Sequence, residues 1–224
     1  MFIDAGHGGA NAGATGAGPP GSGVNEATAT LAIALDVLPV LERAGYRVVL
    51  SRTTDTSVAA PASVTGPNGI HLDNEARVAC ANAAGAGLLV GIYMDGFADP
   101  NVGGAETIYD AARPFAAQSA RFAGNLQHDV LASMRAAGWS VPDRGVQTDV
   151  GLGSATPGAP AGWNHIFLLG PAYPGWNDHP SDMPGALIEP LFVTDPAEDA
   201  IVASQAGDRS IAAGVAKAIE SFRP

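Results

Sequence analysis

The sequence predicts an α/β fold: a single domain on a mostly parallel, twisted sheet of about six strands, with helices on both faces. Three observations lead there. Short runs such as Phe2-Ile3-Asp4-Ala5 and Leu88-Leu89-Val90-Gly91-Ile92-Tyr93 are almost continuously apolar, as strands buried on both faces are. Longer stretches carry apolar residues at helical spacing. Strands and helices alternate along the chain, which favours a parallel sheet covered by its own crossovers.

Each element has its own warrant. Residues 2–5 form the first strand, and residues 8–23 have the glycine, alanine and proline content of a loop. Gly16-Ala17-Gly18-Pro19-Pro20-Gly21 matches G-x-G-x-x-G. The match starts too far from the strand and holds two prolines, so a dinucleotide site is rejected. Asn25 caps a helix whose apolar positions are Leu31, Ala34, Leu35, Leu38 and Leu41. Gly45 ends it, and Pro39 is expected to kink it or split off its last turn. Residues 47–51 are the second strand, and 56–70 an irregular loop. Asp73 or Asn74 caps a short helix closed by Gly85; its Cys80 reads as a small core residue. Strands follow at 88–93 and 106–109. A long helix spans 115–137, with Ser119, Phe122, Leu126, Val130 and Met134 on one face. Residues 149–183 read as a loop insertion in one 1–224 domain, with a strand at 165–169 inside it. Residues 186–189 form the last strand, and one helix closes the chain from 197 to 222.

Bulk properties narrow the function. A chain of 224 residues with 46% hydrophobic and 15% charged residues is globular. It can bury about 70% of its unfolded surface and needs no staples. A net charge of −11 and a single lysine, Lys217, argue against nucleic acid. The position of that lysine in the last helix also excludes a P-loop. No G-x-S-x-G elbow marks a serine hydrolase. One cysteine excludes an internal disulfide. No apolar run approaches the ~18 residues of a membrane span, and no signal peptide precedes the first strand.

The chemistry gathers around the end of the first strand. His7 follows it among glycines and Glu26 opens the first helix, so an imidazole and a carboxylate flank the crevice where open α/β sheets place ligands. That pair is a usual start for a zinc site. Taken alone, each residue has a plainer reading. His7 is then a loop histidine, Glu26 a carboxylate favoured by the helix dipole, and Glu189 a strand-end acid that needs a partner if buried.

The run Ile3-Asp4-Ala5-Gly6-His7-Gly8-Gly9, then Gly13-Ala14 and Glu26, resembles the opening of the zinc-dependent N-acetylmuramoyl-L-alanine amidases of the amidase-3 type. The resemblance continues through residues 45–55, through Arg77 with Ala81-Asn82, through Arg144-Gly145-Val146, and through Leu187-Ile188-Glu189-Pro190-Leu191-Phe192. It implies hydrolysis, by metal-activated water, of the bond between the lactyl group of the glycan and L-alanine of the stem peptide in peptidoglycan. His7 and Glu26 are then Zn2+ ligands and Glu189 the catalytic base. It also implies an autolysin or endolysin acting as a monomer, either secreted or in the cell wall or periplasm. Without a signal peptide in this chain, the sequence is then a trimmed piece or the protein is released by lysis.

One departure stands out. The family's second histidine belongs to an S-I-H-x-N strand, and here Gly91-Ile92-Tyr93-Met94-Asp95 takes its place. Neutral tyrosine, with a pKa near 10, is a poor zinc ligand. Asp95 shares the side of Tyr93 if the strand persists and could supply the third ligand, as could His179 in the loop between the last two strands. His165, starting its strand, is expected at the opposite end. Arg52 and Trp176, with His179, are candidates to contact substrate, although Arg52 and Arg77 read better as loop-holding residues. The rival function is a binding module: an amidase fold that has lost its third ligand and recognises wall fragments without cutting them.

Overall fold

The computed structural model describes residues 1–16, 24–60, 66–152 and 156–223. Most of the rejected G-x-G-x-x-G stretch, the middle of the 56–70 loop and part of the 149–183 segment therefore lie outside the described residues. The strands are β1 (Phe2–Ala5), β2 (Val49–Leu50), β3 (Leu89–Ile92), β4 (Ala105–Tyr109), β5 (Asp143–Thr148) and β6 (Gly185–Glu189). They form one sheet in the order β2-β1-β3-β6-β4-β5. The first four in that order run parallel. β4 runs antiparallel to β6 and parallel to β5. The carboxyl ends of β1, β3 and β6 thus share one edge with the amino end of β4, while the carboxyl ends of β4 and β5 lie at the other.

Helices cover both faces. α1 (Glu26–Arg43), α3 (Ala116–Ala136) and the last helix pack against one another on one face, where Ile33, Val37, Leu126, Val130 and Val215 are fully buried. The other face is covered by α2 (Gly66–Ala83) and by the 156–170 segment, through Val78, Ala81, Trp163, Phe167 and Leu168. No helix among the described residues is long and apolar enough to cross a membrane.

Several elements differ from expectation. α2 begins at Gly66, inside the stretch read as irregular. Cys80 is exposed rather than in the core, because α2 presents only its Val78–Ala81 side to the sheet. Pro39 sits within α1 without ending it. The closing helix is two: α4 (Pro196–Val202) and α5 (Gln205–Ser221), with Ser204 capping α5 through Gly207 N–H. Residues 165–169 form turns instead of a strand, and the sixth strand is β5. Apolar content misled there: Phe167 and Leu168 cover the sheet rather than joining it, whereas β5 is a polar edge strand without a continuous apolar run.

Candidate active site

The carboxyl end of β1 is shaped for close approach. The backbone turns at His7, the one residue other than glycine with a left-handed φ (58°) among those described. That conformation costs of order 1–3 kcal/mol and survives only where the surroundings enforce it. Arg77, 1% exposed, enforces it. It donates to His7 O at 2.5 Å, to Ala5 O at 2.8 Å, to Asp4 Oδ1 at 2.7 Å and to Asp73 Oδ2 at 2.9 Å. Arg52 works from the other side, donating to Ala5 O, Gly6 O, Ala27 O and Thr54 O. Arg52 is buried with its donors committed to backbone, so it ties β1 to α1 rather than reaching substrate.

Glu26 enters from the first turn of α1, whose N-cap Asn25 accepts from Thr28 N–H at 2.9 Å. Its carboxylate is held by Ala14 N–H on Oε2 (2.9 Å) and Met94 N–H on Oε1 (3.0 Å). His7 Nε2 lies 3.0 Å from Glu26 Oε1. Burial alone would lower the His7 pKa, but the facing Glu26 carboxylate outweighs it and raises the value. His7 Nδ1 is buried and makes no hydrogen bond. Gly13 makes room for the pair: with φ 69°, a Cβ there would come within 2.4 Å of Glu26 Oε2 and 2.8 Å of the His7 ring.

Beside this pair stand three carboxylates. Glu106, the second residue of β4, stands directly opposite Glu189 at the end of β6, and Asp95 follows β3. Their oxygens lie within 4.8 Å of one another. Like charges facing across a ladder are destabilising, and the cost registers in the acids. Burial, then Glu106 and Glu26, push Asp95 up to about 6. Burial, then Asp95, Glu26 and Glu106, push Glu189 well above the usual carboxylate range. Arg144 Nε (3.1 Å) and Gln147 Nε2 (2.8 Å) offset part of this by donating to Glu106 Oε2. Glu106 was not singled out in the sequence; the signal was one charged residue inside the otherwise uncharged strand Ala105-Glu106-Thr107-Ile108-Tyr109.

A cavity of about 580 Å³ joins these groups; His7, Tyr93, Asp95, Glu106 and Glu189 all line it. Ile166, Phe167 and Leu168 form one wall and Ile108 and Leu187 the apolar floor.

The remaining candidates fall elsewhere. Tyr93 packs edge-on to His7, with ring centroids 5.5 Å apart, but its hydroxyl donates to Asp4 Oδ2 at 2.8 Å. Burial and then the Asp4 charge raise its pKa well above 10, so it stays a neutral phenol and presents no ligand oxygen to the His7–Glu26 pair. His179 is exposed and precedes the amino end of β6, the opposite edge of the sheet; the loop feeds the strand rather than leaving it. Trp176 stacks on His71 of α2 at 4.1 Å and does not line the cavity. His165 does sit at the far edge, in a turn instead of a strand.

The donor set can be weighed against a zinc-type cation. Two donors bound at about 2 Å to one ion lie about 3 Å apart, which the His7–Glu26 separation matches. No third histidine, cysteine or acid atom lies within 4.8 Å of both, among the described residues. Of the acids that line the cavity, Asp95 and Glu189 both sit close enough to feel the Glu26 charge.

Comparison with known proteins agrees with the geometry. The family model described as Amidase_3, N-acetylmuramoyl-L-alanine amidase, matches residues 1–221. N-acetylmuramoyl-L-alanine amidase AmiA of Salmonella typhimurium is 28% identical over 239 residues, covering 99% of this chain and 75% of the relative. The catalytic domain of CwlV, an N-acetylmuramoyl-L-alanine amidase from Bacillus (Paenibacillus) polymyxa, superposes with a TM-score of 0.69 at 25% identity, covering 99% of this chain and 96% of that one. AmiC2 of Nostoc punctiforme gives 0.71 at 22% identity over 99% and 94%. The family model spans the domain, and His7, paired with Glu26, lines the same cavity as Glu189: the chain belongs to the N-acetylmuramoyl-L-alanine amidase family.

Proposed function

We propose that this chain hydrolyses the amide between the N-acetylmuramoyl lactyl group and L-alanine of peptidoglycan stem peptides, as a monomeric domain acting in the cell wall or periplasm. The observation that supports it most is the His7–Glu26 pair, 3.0 Å apart with one ring nitrogen unbonded, opening into the cavity that Glu189 lines. In this reading His7, Glu26 and Asp95 hold Zn2+, which when bound supplies a Lewis acid for the scissile carbonyl and for water. Glu189 takes the proton of the attacking water and returns it to the leaving amine. Its raised affinity for protons suits a carboxyl that alternates between base and acid. Arg77 and Arg52 fix the backbone that presents His7. The Ile166–Leu168 wall and the Ile108–Leu187 floor bind the apolar parts of the substrate and exclude water.

The test is zinc titration of the purified chain together with analysis of digested peptidoglycan for free stem peptide and intact glycan. Zinc bound at the His7–Glu26 pair, lost in His7→Ala, and both products are expected. Tyr93→His should tighten zinc binding and raise turnover, because it places an imidazole nitrogen where the phenol offers none. Absence of zinc at that pair and of cleavage in both proteins would favour instead a module that binds wall fragments without cutting them.

A further inference from the structure

We propose that Asp110, Asp149 and His165 form a second divalent-cation site of the zinc class, separate from the catalytic cavity, that clips the 156–170 segment to the ends of β4 and β5. Asp110 directly follows β4. Asp149 directly follows β5 and opens a single 3-10 turn, Asp149–Leu152. Because both strands run antiparallel to β6, these acids lie at the sheet edge opposite Glu189. Asp110 is 2% exposed and Asp149 1%, and the loop brings His165 against both. One oxygen of each acid is tied down by backbone: Asp110 Oδ1 accepts from Ala112 N–H and Asp149 Oδ1 from Val150 N–H. The other oxygens face His165 Nδ1, at 2.7 Å from Asp110 Oδ2 and 3.3 Å from Asp149 Oδ2.

One imidazole proton cannot serve both acids. The ring nitrogen has hydrogen-bond geometry toward Asp149 Oδ2, which also accepts from Ile166 N–H at 3.1 Å. Asp110 Oδ2, in a side chain almost wholly buried, is left without a hydrogen bond although it points at the same spot. A buried acceptor in that condition costs about 1–3 kcal/mol, more when charged. The three donor atoms lie within 4.8 Å of one another, close enough to surround one small cation. A set of one imidazole nitrogen and two carboxylate oxygens suits zinc or its first-row neighbours; calcium and magnesium prefer oxygen throughout. Trp163 packs edge-on to the His165 ring at 5.4 Å and fixes its plane. Ile166, Phe167 and Leu168 follow directly and form the cavity wall, so the ion would stiffen that wall from behind.

The experiment uses the full chain with His7→Ala, which removes the catalytic pair, stripped by chelator and titrated calorimetrically with Zn2+ alone. One equivalent should still bind, and saturation at a hundredfold excess over the dissociation constant should raise the melting temperature by about 5–10 °C. Adding Asp110→Asn or, if that chain does not fold by circular dichroism, His165→Gln should abolish both the equivalent and the shift. If the His7→Ala chain binds no zinc, the two acids share a proton and the proposal fails. It fails equally if zinc binds but neither added substitution changes binding or melting.

Discussion

The two edges of the sheet carry the same side chains to different ends. At one, His7, paired with Glu26, opens onto a cavity of about 580 Å³, the histidine held in a left-handed backbone by Arg77. At the other, His165, Asp110 and Asp149 are closed in, with backbone N–H groups on each acid and no part in that cavity. Ligand chemistry does not separate a reactive centre from a structural clip here. Access does, together with a nearby carboxyl free to move a proton: Glu189 has no counterpart beside His165.

Glu189→Gln should sharpen that contrast most. Turnover is expected to fall about 10²–10⁴-fold, the usual worth of a general base, with zinc still bound and the melting temperature at pH 7 unchanged or higher. The sign follows from the raised pKa of Glu189. A buried carboxyl that holds its proton more tightly when folded loses stability as pH rises through the range between its two pKa values, and glutamine removes that cost. Equal turnover in both proteins, measured by release of stem peptide, would take the base away from Glu189.

Gly13→Ala comes next. A methyl there meets both Glu26 Oε2 and the His7 ring, at a φ of 69° that side chains rarely adopt. Displacing either donor should weaken zinc at the first edge by about ten- to a hundredfold, the range seen when the support of a metal ligand is lost. Zinc at the Asp110–Asp149–His165 edge should not change. Titration of the single variant reads both edges at once, and coupled losses would break the separation drawn between them.

Much of this was legible in the chain. The continuous apolar strands and the 3.6-residue period of α3 report burial, and burial is what a sheet sandwiched between helices needs; in α1 the buried face is Ile33, Ala34, Val37 and Leu41, while Leu35, expected on it, is exposed. His7, Glu26 and Glu189 were legible because each stands where an element starts or stops. Less legible was whatever depends on partners distant in sequence. The Gly/Pro-rich 156–170 segment reads as loose, yet Trp163, Phe167 and Leu168 bury themselves on the sheet and Arg113 pins Leu169 O, Gly170 O and Ser181 O. Asp4 takes both the Arg77 guanidinium and the Tyr93 hydroxyl, partners 73 and 89 residues away that its place in the first strand does not announce. His179 was misplaced because its loop leads into the amino end of β6, the edge opposite the cavity, and residues 165–169 turn instead of forming a strand before it.

Tyr93 stands where the family resemblance calls for a histidine, and two substitutions divide its role. Tyr93→Phe removes the hydroxyl bond to Asp4 and should cost about 1.5–3 kcal/mol in urea unfolding, as bonds to charged partners do. Zinc affinity should stay the same, since the phenol offers the ion nothing. A loss of zinc in Tyr93→Phe would show instead that the phenol oxygen leaves Asp4 to bind the metal.

The smallest expected effect uses a pair of acids with no histidine as the control for both edges. Asp208, in the first turn of α5, is pushed up to about 7 by burial and then by Asp36 of α1, and its Oδ1 makes no hydrogen bond. Its folded pKa lies above the ordinary aspartate value of 3.8, so the folded state holds a proton that the unfolded state releases. Stability should therefore fall as pH rises from about 4 to about 7 and stay reduced above that. Asp208→Asn should melt about 1–3 °C higher than the parent at pH 8 and no higher at pH 4, a small shift because the group is partly exposed and screened. Zinc should leave the difference between the two melting curves unchanged at every pH, because a carboxylate pair without an imidazole is a poor zinc ligand set. A zinc-dependent difference at Asp208 would mean that crowded carboxylates alone recruit the ion in this protein, and the histidine would no longer distinguish the two edges from the rest of the surface.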